Sequence, residues 1–230
     1  MDATPARTAA PEATIRIVVV DDHRTFAELL SLALEAESDL TCVAHAQSVA
    51  EGRLAVRRER PDVVLMDLQL PDGDGIDATA QILREDPGIR VLVLTAHPNP
   101  TEMARAGAAG ASGFLAKDGA LDEVLTAVRT ARRGHLVLPS SVVAHFRAQS
   151  DEPGRVSPPD AGLTPRELAV LRLLAEGKDP RAVARELGIS LNTCRGYIKA
   201  VLAKLGVHSQ LEAVVRASRI GLLSEGYRHV

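Results

Sequence analysis

The stretch Ile15-Arg16-Ile17-Val18-Val19-Val20-Asp21-Asp22 decides how this 230-residue chain is read: it is an almost unbroken apolar run, rich in β-branched residues and closed by two carboxylates. A run of that kind is a strand covered on both faces. Short apolar runs recur at residues 40–46, 63–66, 91–94 and 113–116, with helical patterns between them. The expected fold is therefore α/β, a five-stranded parallel sheet doubly wound by helices. One helix shows its period plainly, with Leu121, Val124, Leu125 and Val128 on one face before Gly134 ends it.

In such a sheet the carboxyl ends of the strands converge on one rim, where ligand chemistry sits. The residues arriving there are Asp21 and Asp22 after the first run, Asp67 after the third, Thr95 after the fourth and Lys117 after the fifth. Each alone has an ordinary role as a cap, a turn, a strand residue or a solvated charge. Their joint placement, in order on successive strand ends, argues for one site. Clustered acids repel unless a cation intervenes, and an all-oxygen donor set with room for water suits Mg²⁺ rather than zinc. One carboxylate can then act as a nucleophile toward phosphorus, with the Thr hydroxyl, the Lys ammonium and the metal sharing the charge of the phosphoryl oxygens.

Working outward, the chain length suits two domains, each burying its own core. Hydrophobic residues make up 46% and charged residues 25%, the balance of a globular protein rather than a disordered one. Aromatics stand at 2% with no Trp, which argues against a surface that stacks single-stranded bases. No apolar run approaches the roughly 18 residues that span a bilayer, and residues 1–14 carry Asp2 and Glu12 without an apolar core, so neither membrane nor secretion is expected. Cys42 and Cys194 form no metal-like spacing. A cytoplasmic location is the default expectation.

Charge is divided unequally. Residues 1–162 hold 16 Lys+Arg and 24 Asp+Glu, a balance of −8, whereas 163–230 hold 11 and 6, a balance of +5. One domain is set to meet a polyanion. Between Pro139 and Gly162 the composition turns to Pro, Ser, Asp, Glu and Gly around an apolar patch at Val142, Val143 and Phe146, which reads as a linker with a helical turn or two. Thr164-Pro165-Arg166-Glu167 is then a capping box. Asp179-Pro180, Ser190 and Ser209 with Glu212 open three more helices, which makes a second, all-α domain of four helices. In its third helix Leu191, Cys194, Ile198, Leu202 and Leu205 recur at core spacing, and Asn192, Arg195, Gly196 and Lys199 lie opposite, with no acid in the helix. Behind the tight Gly188-Ile189-Ser190 turn, this is the form of a helix-turn-helix whose second member enters the major groove of double-stranded DNA.

These residues carry two resemblances. Val18-Val19-Val20-Asp21-Asp22-His23, Asp67-Leu68-Gln69-Leu70-Pro71-Asp72-Gly73-Asp74-Gly75, Leu94-Thr95-Ala96 and Gly113-Phe114-Leu115-Ala116-Lys117 resemble the flavodoxin-like receiver domain of two-component response regulators, with Asp118 where the family usually has Pro. The resemblance implies Asp67 as phosphoacceptor, with a sensor histidine kinase as donor. It also implies Asp22, Asp67 and the Gln69 backbone carbonyl as Mg²⁺ ligands, Asp21 as partner of a metal-bound water, Thr95 and Phe114 as switch residues, and Lys117 as phosphate counter-ion. Leu163-Thr164-Pro165-Arg166-Glu167, Leu187-Gly188-Ile189-Ser190, Lys204-Leu205-Gly206-Val207 and Glu212-Ala213-Val214 resemble the LuxR-type helix-turn-helix domain. The whole looks like a NarL/FixJ-type regulator: receiver at 14–134, linker at 135–160, DNA-binding domain at 161–224.

By that resemblance Asn192, Thr193, Arg195, Gly196, Lys199 and Lys204 meet DNA, and the last helix makes a homodimer on activation. The family's usual Thr-Val-Lys-x-His stands here as Thr193-Cys194-Arg195-Gly196-Tyr197. The expected function is a phosphorylation-controlled transcriptional regulator, not an enzyme. A regulator of the same build controlled by a ligand or by dimerisation without phosphorylation is the alternative. An aspartyl-phosphate phosphatase of the haloacid-dehalogenase kind ranks third, because its second acid, two residues after the nucleophile, is Gln69 here.

Overall fold

The computed structural model describes residues 14–96, 99–138 and 161–223. The linker patch Val142, Val143 and Phe146 lies outside these residues, as do residues 1–13 of the amino-terminal reading. Five strands, β1 (Ile15–Val20), β2 (Leu40–Ala46), β3 (Val63–Asp67), β4 (Arg90–Thr95) and β5 (Gly113–Ala116), form one parallel sheet in the order β2-β1-β3-β4-β5. Side chains alternate across it. Ile17, Val19, Leu65 and Leu92 pack with α1 (Arg24–Glu35) and α5 (Leu121–Arg132), while Val18, Val20, Val64 and Met66 face α2 (Val49–Glu59) and α3 (Gly75–Glu85). The chain reverses its direction of travel between β1 and β3, and their carboxyl ends flank the crevice this creates.

One detail departs from expectation. Leu121 is 47% exposed rather than part of the α5 core stripe. It is the first residue of its helix, and side chains lean toward the helix N-terminus, so it projects past the end of the face that Val124, Leu125 and Val128 bury. Beyond Gly134 the chain makes further contacts with the sheet. That glycine turns the chain with φ +79, after which the Val137 carbonyl accepts from Phe114 N at 3.1 Å and Val137 N donates to Ser112 at 3.0 Å, with Leu136 and Val137 buried.

The second unit holds α6 (Pro165–Ala175), α7 (Pro180–Glu186), α8 (Leu191–Leu205) and α9 (Gln210–Arg219). Thr164 and Glu167 close the foreseen capping box, and Asp179, Ser190 and Ser209 each cap the helix that follows. This unit docks on the receiver through α9, which packs along α4 (Pro100–Ala108). Ser209 Oγ donates to the Gly107 carbonyl at 2.7 Å, and Arg219 donates to the Pro100 carbonyl at 3.3 Å. A methyl group on Gly107 would lie 2.7 Å from Glu212 N and 2.9 Å from its Cα, so the crossing needs glycine there. Among the described residues no helix is long and apolar enough to cross a membrane.

Candidate functional site

Strand register brings the rim residues together. Met66 pairs with Val20, Asp67 with Leu94 and Thr95 with Ala116, so Asp21, Asp67, Thr95 and Lys117 arrive side by side at the sheet's carboxyl edge. Lys117 N donates to the Thr95 carbonyl at 2.7 Å, which seats the end of β5 against the end of β4. The Lys117 ammonium lies between two buried carboxylates, 2.7 Å from Asp21 Oδ2 and 2.9 Å from Asp67 Oδ2. It also sits 5.3 Å from the centroid of the Phe26 ring, within cation–π range.

Burial pushes the Asp67 carboxyl above its usual range and the Asp21 charge adds to this, against the pull of Lys117. For Lys117, burial works against the charge, but hydrogen bonds and attraction from Asp21 and Asp67 outweigh it and raise its pKa. Asp22 is exposed, and its Oδ1 lies 2.9 Å from His23 Nδ1. Asp21, Asp22, His23 and Asp67 each present one ligand atom within 4.8 Å of the others. Three of these are hard carboxylate oxygens, the donors Mg²⁺ takes.

The loop after Asp67 is built to hold it. Gln69-Leu70 pairs antiparallel with Gly73-Asp74, leaving the Gln69 side chain exposed. Asp72 accepts from Val49 N at 2.6 Å and Ala50 N at 3.0 Å, capping α2 from outside. Asp74 caps α3 through Ile76 N at 2.7 Å and takes Arg105 of α4 at 2.9 Å. A Cβ on Gly75 would fall 1.8 Å from the Asp67 carbonyl oxygen, so only glycine lets α3 start beneath the phosphoacceptor candidate. Sequence reading assigned no role to His23, Phe26, Asp72, Asp74, Gly75 or Arg105. The Asp/Gly density after the third strand was the available signal. Phe114 is fully buried, in one apolar cluster with Met103 and Ala106 of α4.

In the helical unit, Gly188 makes the turn and Ser190 Oγ accepts from Thr193 N at 3.0 Å to start α8. Cys194, Ile198, Val201 and Leu205 are buried, whereas Asn192, Thr193, Arg195, Gly196 and Lys199 are exposed together. Nothing lies within 4 Å of where a Gly196 Cβ would stand. Lys204, further along the same helix, lies 2.7 Å from Glu167 of α6.

The response regulator receiver domain family matches residues 17–129, and the luxR family of bacterial regulatory proteins matches residues 161–217. The transcriptional regulatory protein LiaR of Bacillus subtilis is 36% identical over 91% of this chain and 100% of its own length. The transcriptional activator DevR/DosR of Mycobacterium tuberculosis is 34% identical over 90% of this chain and 95% of its own. Among solved structures, the response regulator ChrA of a heme-sensing two-component system aligns over 92% of this chain and 100% of its own, at 29% identity and a TM-score of 0.50. The RcsB response regulator of Salmonella typhimurium aligns over 91% and 100%, at 25% identity and a TM-score of 0.55. With a receiver site at one end and an exposed basic helix of a LuxR-type domain at the other, this chain belongs to the two-component response regulators that act as DNA-binding transcriptional regulators.

Proposed function

We propose that the chain stores its signal as an acyl phosphate on Asp67 and reads it out as dimer-dependent binding to DNA. The observation that carries this is the Lys117 ammonium held between buried Asp21 and Asp67 at a strand-end crevice. An Asp67 carboxylate oxygen attacks the phosphorus of a phosphohistidine on a sensor kinase. The O–P bond forms as the N–P bond breaks, and the departing imidazole nitrogen keeps the electron pair and takes a proton. Mg²⁺ fits the donor set: Asp22, Asp67 and the Gln69 carbonyl would hold it, Asp21 through water, and it would supply positive charge to the phosphoryl oxygens. Lys117 is close enough to transfer its pairing from Asp67 to the new phosphoryl group. The Thr95 hydroxyl reaches the same group from the neighbouring strand end. Without a second acid at Gln69 to activate water, the acyl phosphate persists as a signal.

Thr95 leads into α4 five residues later, and α4 carries α9 on its surface. Phosphorylation that moves Thr95 therefore strains the α4–α9 contact, and Phe114 takes part through its packing in the α4 cluster. Release of α9 frees it for a homodimer, and release of the domain frees Asn192, Thr193, Arg195, Gly196 and Lys199 for the major groove. RcsB has been solved as dimers bound to DNA, which supports a dimer on DNA as the output state. The site of action is then the cytoplasm, where kinase output and chromosome meet. Intact mass after incubation with acetyl phosphate and Mg²⁺ tests the central step. Wild type gains one phosphoryl group and Asp67→Asn gains none; phosphoryl uptake by Asp67→Asn would falsify the assignment.

A further inference from the structure

Aromatic side chains are scarce in this chain, three Phe and two Tyr in 230 residues, and one of them stands at the strand-end site. Phe26 is the third residue of α1, the helix that starts directly behind Asp21 and Asp22, and the Ala27 N–H closes its first turn by donating to the His23 carbonyl at 3.0 Å. Leu30 and Leu34, one and two turns further along the same face, are buried, whereas Phe26 is only half-buried. Its ring leaves the core at the rim. One side packs on the apolar cluster that α1 shares with α5, and the Lys117 ammonium lies over the ring face, 5.3 Å from its centroid. The Lys117 side chain is 14% exposed, so this contact is largely out of water, where an aromatic face attracts a cation most strongly.

We propose that Phe26 is a positioning residue for Lys117, its ring face holding the ammonium in the site while the neighbouring carboxylates change partners. Asp21 and Asp67 hold that ammonium at 2.7 and 2.9 Å. During phosphoryl transfer both carboxylates turn toward Mg²⁺, Asp67 directly and Asp21 through water, and Asp67 takes on the phosphoryl group. Each charged partner of Lys117 is then claimed by something else. The ring carries no charge, ligates no Mg²⁺ and accepts no phosphoryl group, so its attraction for the ammonium is the same before and after transfer. It keeps Lys117 within reach of the phosphoryl oxygens, and a cation held in place needs no reorganisation as charge develops there. A leucine at this position would cover the same apolar cluster without offering a negative face. The role in transfer rests on the reading of Asp67 as phosphoacceptor; the contact in the resting protein does not.

Both parts are tested on the full chain. Its four lysines, Lys117, Lys178, Lys199 and Lys204, give few signals when lysine alone is labelled with ¹³C, and the spectrum of Lys117→Ala identifies the one that belongs to Lys117. In the unphosphorylated protein the ring current of Phe26 should move the Lys117 Hε signals upfield in wild type and in Phe26→Tyr, and Phe26→Leu should lose that shift. The same Lys117 signals in wild type and Phe26→Leu overturn the contact. The initial rate of phosphoryl uptake from acetyl phosphate with Mg²⁺, followed by intact mass, should fall about 2- to 30-fold in Phe26→Leu and remain within about twofold of wild type in Phe26→Tyr. Fluorinated phenylalanines placed at position 26 alone, with one, two and three fluorines, withdraw charge from the ring face in steps while nearly keeping its shape. Uptake should slow with each step, and an equal rate across that series overturns the positioning role whether or not the leucine variant folds. Wild type that takes up no phosphoryl group overturns the Asp67 reading and the role in transfer with it, and the Lys117 signals then still decide whether the ring holds the ammonium.

Discussion

For Asp67 to serve as the proposed phosphoacceptor, its carboxylate must be charged enough to attack phosphorus yet buried enough to exclude stray water, and the neighbouring Lys117 ammonium would reconcile the two demands. The ammonium stands 2.7 Å from Asp21 and 2.9 Å from Asp67. Removing it leaves two buried carboxylates facing each other, and an uncompensated buried charge costs about 3–5 kcal/mol. Lys117→Ala should therefore lose stability toward the lower end of that range, since Asp67 can take up a proton instead. Added Mg²⁺ should return much of the loss, because the ion binds the folded carboxylate cluster and not the unfolded chain. Thermal unfolding of wild type and Lys117→Ala with and without Mg²⁺ measures both. An equal Mg²⁺ response in the two proteins would sink the idea that lysine and metal act on the same charges. The variant should still accept a phosphoryl group while failing to dimerise, separating uptake from output.

At the scale of the element, Glu167 ties the start of α6 to the end of α8. Its carboxylate accepts from Thr164 N at 2.6 Å and from Lys204 at 2.7 Å. Burial opposes the charge, yet the Lys204 and Thr164 hydrogen bonds hold its pKa below the usual glutamate value. A depressed folded pKa means that the unfolded chain binds the proton more readily. The stabilisation is thus complete above the ordinary glutamate range and is lost as pH falls through the folded value. Glu167→Gln should cost about 1–2 kcal/mol at pH 7, and denaturant unfolding should show that gap closing in acid; a pH-independent gap would exclude the charge. The recognition helix makes a second test. Arg195→Ala should lower affinity by about 1–3 kcal/mol and flatten preference among single-base variants of a site, read by electrophoretic mobility, and an unchanged preference profile would remove Arg195 from base reading. Much of this was legible in sequence, for local physical reasons. Strand runs end on their functional residues, and caps such as Thr164-Pro165-Arg166-Glu167 announce helix starts. What stayed hidden depended on partners distant in sequence: Arg105 on Asp74, Asp72 on the start of α2, and Lys204, whose position on a basic helix concealed its pairing with Glu167. The docking of α9 on α4 was hidden for the same reason, since each helix alone reads as an ordinary amphipathic element.

For the whole molecule, the proposed release of the DNA-binding unit makes the α4–α9 crossing the contact that would set the balance between the arrangement seen here and an open one. Gly107 is the point of closest approach, where a methyl group would meet Glu212 N at 2.7 Å and Cα at 2.9 Å. Those are backbone atoms of a helix and cannot rotate aside, so Gly107→Ala must lift α9 from α4. Within α4 the same change favours the helix by up to about 1 kcal/mol, so the receiver itself should remain folded. The clash acts on the docked state alone. If it costs about 1–3 kcal/mol, the open fraction rises roughly 5- to 150-fold without any phosphoryl group. Lifting α9 also breaks the Ser209 bond to the Gly107 carbonyl. The dimer surface and the exposed face of α8 are untouched, so unphosphorylated Gly107→Ala should bind DNA at lower protein concentration than unphosphorylated wild type. Activation should then add less to its affinity, because the contact that phosphorylation releases is already open. Mobility assays with and without acetyl phosphate, alongside small-angle scattering for the expected gain in radius, measure this directly. Unphosphorylated Gly107→Ala with wild-type dimensions and wild-type DNA affinity would show that the α4–α9 contact does not restrain output.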